Sequence, residues 1–279
     1  MTLASPRWLE QFTSADGLVS YAFPVDDFEY EPAQAFRRAE APAVGADYAV
    51  DLLGAAPWPK AVAEEAVRFT IWGASAADAD AQFDACVATL REIGLGRLWA
   101  VDAAGARRWA WAKLLARPSY LVDVNGYFNV PVALRFARFS DWFAEAATAG
   151  SVAISATPHA FTITNPGNAP ARAVVLRFRA NGSTGFTNPS LVNLTNGYAF
   201  ASSRNAVSAD SELRLDTERG QVLWSDTNGA TYADDYALVT LGATQVGLMQ
   251  LEPGANALQY SDAGSPNLTL EWSFYAPYH

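Results

Sequence analysis

The chain has 279 residues, of which 51% are hydrophobic and only 17% charged, which supplies one large or two ordinary cores and excludes disorder over most of the length. Its formal charge of −10 repels nucleic-acid phosphates and anionic lipid headgroups, which argues against specific DNA or RNA binding and against a membrane as partner. The lone Cys86 rules out an internal disulfide; with no signal core in Met1–Trp8 and no run of about 18 apolar residues, a soluble, unprocessed protein held by core packing is expected.

In chain order, Pro24, Pro32, Pro42, Pro57 and Pro59 with mixed charges make residues 24–60 an extended arm or long hairpin. Val67–Ile71 has strand character. A helix is predicted over 78–93, because Ala79, Phe83, Cys86, Val87, Leu90 and Ile93 recur at helical spacing and form one buried stripe. Ser75 with Asp78 reads as a capping box at its start, and Arg91 with Gly94 marks its end. Arg97–Val101 and Arg107–Leu115 follow as strands joined by a hairpin through Asp102-Ala-Ala-Gly105, with Trp109, Trp111, Lys113 and Leu115 on one face. After a turn at Asn125-Gly126, Phe128, Val130, Val132, Leu134 and Phe136 alternate with polar or small residues, and Pro131 predicts an edge or a bulge.

The segment Ala144–Ser151 is small-residue and weakly structured in this reading, and a domain boundary is placed there: 1–147 and 148–279. Beyond it the helical pattern disappears. Strands are expected near 151–155, 160–164, 173–179, 190–194, 198–201, 212–216, 221–225, 237–241, 257–260 and 268–275, punctuated by Asn-Gly, Pro-Gly, Asn-Pro and Asp-Ala-Gly turns, as in a β-sandwich of the jelly-roll kind.

This order of pieces resembles the distal tail protein family of long-tailed bacteriophages. In the first half the resemblance rests on Phe69-Thr-Ile-Trp-Gly73, the helix Phe83–Ile93, the hairpin Leu98–Gly105, and Val130–Phe136 running into Asp141-Trp-Phe143. In the second it rests on Phe161-Thr-Ile-Thr-Asn-Pro-Gly-Asn-Ala-Pro170, Glu212–Asp216, Leu251-Glu-Pro-Gly-Ala-Asn256 and Leu268–Trp272, similar to that family's galectin-like sandwich. The resemblance implies a mainly β chain: an N-terminal β-barrel or sandwich-like ring domain (1–147) and a C-terminal galectin-like jelly-roll (148–279). It implies a structural virion protein, assembled in the host cytoplasm, whose hexameric ring joins the tail tube to the tail tip or baseplate and leaves a channel for DNA. The implied partners are further copies of the chain, the tube protein, the baseplate hub protein, and a receptor-binding protein or host glycan. An acidic chain could line such a channel without gripping the duplex.

No catalytic, cofactor or metal site is expected, and no cofactor. His159 and His279 make a poor acid–base pair, and one cysteine with two distant histidines gives no zinc spacing. Asp226, Asp234 and Asp235 near Asn228 and Gly229 offer oxygen ligands for calcium but miss the EF-hand pattern, so a solvated loop is the simpler reading. Glu64-Glu65 and Asp234-Asp235 are adjacent acids that point to opposite strand faces, unlike a glycosidase pair. No Gly-x-Ser-x-Gly elbow occurs, and Gly94-Leu-Gly96 follows a helix instead of opening one. Trp224, Tyr232, Tyr236, Tyr260 and Trp272, with Arg204 or Asn205, could stack on and hydrogen-bond a sugar, but such residues also fill sandwich cores. A carbohydrate-binding module is therefore the alternative function. Trp109 and Trp111 belong either to the core or to a ring interface.

Overall fold

The computed structural model describes residues 6–24, 29–31, 63–102, 104–115, 118–120, 129–182, 185–206, 208–243, 245 and 247–278. The described residues divide into two compact units, the first holding 63–145 with 6–24 and 29–31, the second 146–278. The Asn125-Gly126 turn, Phe128, His279 and all of the expected arm except Pro24 and the short strand β3 (Glu29–Glu31) lie outside the described residues.

The first unit contains β1 (Pro6–Ser14), β2 (Ser20–Ala22), β3, β4 (Ala63–Trp72), the helix α1 (Ala76–Ile93), β5 (Leu95–Asp102), β6 (Arg107–Leu114), β7 (Ser119–Tyr120), β8 (Asn129–Arg138) and the start of β9 (Trp142–Ile154). All pairings are antiparallel, in the order β2-β1-β5-β6-β8-β4-β3, with β7 also on β8. The far edge of β6 is divided, with Ala112–Leu114 on β8 and Arg108–Trp109 on β9.

The helix forms as its periodicity predicts, and all six stripe residues are buried. Each of its larger apolar side chains contributes about 1.5–3 kcal/mol of transfer free energy. Its cap differs in one detail. Ser75 Oγ accepts from the Asp78 N–H at 3.2 Å, but the Asp78 carboxylate reaches back to the N–H of Ala74, not of Ser75, at 2.7 Å. Gly94 ends the helix with φ +62, and the chain enters β5 at once. There Gly96 is required by space: a Cβ would lie 2.2 Å from the carbonyl oxygen of Thr13 on β1 and 2.6 Å from Ile93 Cγ2.

The β5–β6 hairpin is closed by Asp102. Its Oδ1 accepts from the N–H groups of Ala104 and Ala106, both at 2.9 Å, and its Oδ2 accepts from Arg108 at 2.6 and 2.9 Å. Burial opposes the charge, yet the Arg108 guanidinium and the backbone donors hold the carboxyl below its usual range. In β8, Val130, Val132, Leu134 and Phe136 are buried and Pro131, Ala133 and Arg135 exposed. Pro131 is neither in a bulge nor on a fully open edge. It pairs with Thr70 in an unbroken ten-residue register with β4, while Val132 and Ala133 pair with β7 on the other side.

The segment Ala144–Ser151 corrects another expectation. It is not weakly structured but lies within the thirteen-residue strand β9, and the division between units falls inside that strand. Alanine and glycine have poor strand propensity, so this strand is held by ladders to neighbours and not by its own preference.

The second unit has two antiparallel sheets. One runs β16 (Ala233–Asp234), β15 (Gln221–Ser225), β14 (Glu212–Asp216), β11 (Val174–Ala180), β19 (Leu268–Tyr278) and on to β9; the other runs β10 (His159–Asn165), β18 (Gly254–Ser261), β12 (Ser190–Asn193), β13 (Ala199–Ser202) and β17 (Val239–Leu241). Alternate residues of both sheets meet in one core. Phe178 of β11 packs on Phe200 and Tyr260 of the opposite sheet, with ring centroids 6.0 and 6.1 Å apart. The protein is thus mainly β with a sandwich, as expected. The 237–241 segment begins as a 3₁₀ turn, Tyr236–Leu238, before β17.

Three buried asparagines tie the sandwich turns. Asn165 Nδ2 donates to the carbonyls of Ala169 and Leu251 and its Oδ1 accepts from the N–H of Gly167. Asn256 Nδ2 donates to the carbonyls of Glu252 and Gly254, while its Oδ1 accepts from the Glu252 N–H and from Asn193 Nδ2. The motifs Phe161–Pro170 and Leu251–Asn256 therefore owe their shape to side-chain capping of backbone groups that strand pairing leaves free.

Candidate assembly surface

The first unit carries an aromatic and basic face on β5, β6 and β9. Along β5, Leu98 and Ala100 are buried on the interior side with Phe12, whose ring packs 5.0 Å from that of Phe136. Arg97 and Trp99 alternate with them and point outward, and register places Trp111 and Trp109 of β6 beside them and Phe143 of β9 beyond. Trp109 lies 4.8 Å from Phe143 and 5.3 Å, edge-on, from Trp111. Trp109 is buried among these neighbours, whereas Trp99, Trp111 and Phe143 stay half-exposed. The question left open between core and interface resolves residue by residue: the small Ala110 and Ala112 face the interior and the tryptophans face out.

Two arginines lie over these rings. Arg107 sits 4.8 Å above Trp99 and pairs with Glu10 at 2.7 Å and Glu145 at 2.5 Å. Arg97 sits 4.7 Å over Trp109 and 5.5 Å over Trp111, and no acid among the described residues pairs with it. Its buried Nε has no hydrogen-bond acceptor among the described residues. Cation–π contact holds this guanidinium in place without neutralising it. Leu95, at the start of the same strand face, is 56% exposed.

The residues singled out for chemistry are dispersed or already engaged. His159 begins β10, with its ring 6.3 Å from Phe161. Cys86 is buried in the helix stripe, where burial pushes its thiol up. Glu64 is exposed and Glu65 buried, on opposite strand faces as alternation requires; Glu65 accepts from Arg138 at 2.7 Å. Asp235 is bound by Arg204 at 2.5 to 2.9 Å, Asp226 accepts from the Trp224 indole and Ser211, and Asp234 accepts from the N–H of Tyr236. Asn228 Oδ1 accepts from Arg179, and a Cβ on Gly229 would meet the Tyr232 hydroxyl. These oxygens are committed to protein donors, and among the described residues no group of three or more His, Cys, Asp or Glu could hold a metal ion.

The aromatic set of the sandwich offers little to a sugar. Tyr260 and Trp224 are buried, Trp272 is stacked on Phe161 and lies against Gly150, and Tyr232 hydrogen-bonds Glu212. Tyr236 alone of the five is substantially exposed. Arg204 is held by Asp235, and Asn205 forms a bridge with Thr187. The outward face of β11, β14 and β19 instead carries a network in which Arg177 and Arg179 bracket Glu212 and Glu271, a feature missed by sequence reading although the alternation Arg177, Arg179 was visible.

Among solved structures, the chain matches the crystal structure of the SPP1 Dit (gp 19.1) protein, described as a paradigm of the hub adsorption apparatus in phages that infect Gram-positive hosts. The TM-score is 0.56 at 13% identity, over 94% of this chain and 98% of that one. The chain has the fold of a phage distal tail hub protein. Two structures of the phage p2 baseplate in its activated conformation, one with Sr and one with Ca, match at TM-score 0.45 and 10% identity over 96% of this chain and 97% of theirs, too distant to build on. No family model and no curated protein matches the chain. No described helix is long and apolar enough to cross a membrane.

Proposed function

We propose that this protein is a structural component of a phage virion, a distal tail protein whose first domain (1–147) closes into a sixfold ring between tail tube and baseplate and whose second (148–279) presents a docking surface. The observation that carries this reading is the fold match over almost the full length of both chains, which takes in the helix-bearing unit and the sandwich together. A ring is the natural product of a heterologous contact that closes, because no sticky ends remain. In this reading the partners are other copies of the chain, the tube protein and the baseplate hub, the genome passes through the lumen without specific binding, and the protein has no catalytic role. Assembly takes place in the host cytoplasm.

The test is the mass and symmetry of the purified full chain, by light scattering and negative-stain images over a range of concentrations. Sixfold rings are expected. A strict monomer at every concentration, together with binding on a glycan array, overturns the hub reading in favour of a carbohydrate-binding module, for which Tyr236 is the one exposed aromatic candidate.

A further inference from the structure

We infer that the outward face around Arg97, Trp99 and Trp111 is the acceptor half of a heterologous contact, and that its occupant is the solvent face of helix α1 in a second copy of the chain. This rests on the ring reading and names the surfaces that would build it.

Three observations point to that occupant. First, Arg97 is a fixed cation that no acid among the described residues pairs with. It is clamped over two indoles, its position does not depend on an ion pair, and the face around it combines half-exposed tryptophans with arginine. Tryptophan and arginine are the residue types that dominate interface energetics. Second, the helix presents the complementary charge. Asp80, Asp84 and Glu92 are exposed, successive at multiples of four residues, and none is paired among the described residues. Third, the helix has the shape to approach a sheet closely. Ala77, Ala81, Ala85 and Ala88 are exposed beside those acids, so most of the helix surface between the carboxylates is low, with Gln82 and Arg91 the other long exposed side chains.

Within one copy the buried stripe of α1 is turned to the interior while Arg97 and Trp99 point away from it, so the two surfaces belong to different sides of the same unit. Two unlike, complementary patches on one protomer give head-to-tail association, which closes as a ring when the rotation permits. A self-complementary patch would instead give a twofold dimer. The approach of Asp80 or Asp84 would also bring an acid to a guanidinium whose planar fork favours carboxylates.

The experiment is a charge swap in the full chain, read by sedimentation velocity and negative-stain imaging, with circular dichroism to check folding. Arg97→Glu, and separately the surface variant Asp80→Lys/Asp84→Lys, are each expected to lower the assembled fraction at least tenfold. Their combination is expected to restore rings. The helix variant alters only exposed positions, so the test survives if Arg97→Glu fails to fold. Rings that persist in both variants, or that the combination does not restore, overturn this contact while leaving the ring reading intact. A wild-type chain that stays monomeric at every concentration overturns this contact, and together with binding on a glycan array it removes the ring reading itself.

Discussion

Asn256 offers the sharpest test of how the sandwich is held. It is fully buried and makes four hydrogen bonds: 2.8 Å from the Glu252 N–H, 2.8 Å to the Glu252 carbonyl, 3.1 Å to the Gly254 carbonyl and 3.1 Å from Asn193 Nδ2. Truncation by Asn256→Ala strips partners from all four. The carbonyl of exposed Gly254 can turn to water, but Asn193 is fully buried and its Nδ2 keeps just the bond to the Gln250 carbonyl, while its Oδ1 still accepts from the Thr195 N–H. Counting the Asn193 amide and the Glu252 N–H as orphaned donors at about 1–3 kcal/mol each gives a loss of about 2–6 kcal/mol. At about 2–8 °C per kcal/mol for domains of this size, that lowers Tm by on the order of 10 °C. Asn256→Asp separates the two halves of the amide. The acceptor survives, but a carboxylate oxygen now faces two carbonyls where an NH₂ donated. The charged form is disfavoured in the fold, so the introduced carboxyl titrates above its unfolded value. Its penalty is full at neutral pH and shrinks as pH falls through the raised folded value, because the native state then takes up the proton first. Urea denaturation of both variants at pH 7 and pH 5, with hydrogen exchange to place the opening at residues 190–200 and 250–260, makes the comparison. Both variants within about 0.5 kcal/mol of wild type, the range of an ordinary surface change, would refute the capping argument.

Other expectations follow from single contacts. Gly96→Ala drives a methyl into the Thr13 carbonyl and Ile93 and should part β1 from β5, at a cost of about 3 kcal/mol or more in chemical denaturation. Near-native stability would show that this strand pair gives way cheaply. Arg138→Leu leaves Glu65 buried without its 2.7 Å partner and should cost about 3–5 kcal/mol, more than the double variant with Glu65→Leu, in which both charges leave the interior. Equal losses in single and double variants would count against a buried ion pair. Tyr260 is fully buried and donates to Asp262 at 2.7 Å; burial, with the carboxylate adding, pushes its phenol well up. Below its unfolded pKa of about 10 its contribution to stability is whole, and above it the unfolded chain ionises while the native one cannot, so stability falls as pH rises. Tyr260→Phe should therefore cost about 1 kcal/mol at neutral pH and flatten the alkaline limb of a pH–stability curve.

What was legible in the sequence is what local periodicity controls. The helix stripe from Ala79 to Ile93, the alternation in β8 and the strands at 212–216 and 221–225 could be read because each has one dominant buried face. Where no face dominates, the reading failed. Ala144–Ser151 looked weak because alanine and glycine carry no strand signal, and only pairing with distant residues makes it part of β9. Pro131 suggested an edge because proline cannot donate, yet the register with β4 passes through it without a break. The Asn193–Asn256 contact joins residues 63 apart in the chain, beyond any local pattern.

The assembly face was hidden for a related reason. In β6 the alternation Trp109, Trp111 against Ala110, Ala112 is apolar on both sides, so period two sorts the residues into faces without saying which face is inside. Hydrophobicity would bury the tryptophans, which carry the larger transfer free energy. The structure turns the alanines to the interior, because Phe12, Leu98 and Phe136 fill it and leave room only for small side chains on β6, and Trp109 is buried on the opposite face instead. The tryptophans on the other side then need cover, which Arg97, Arg107 and Phe143 supply in part. The described residues thus leave half-covered aromatic area under a guanidinium that none of their acids pairs with. Such a surface is costly to leave in water and useful only when a partner completes it.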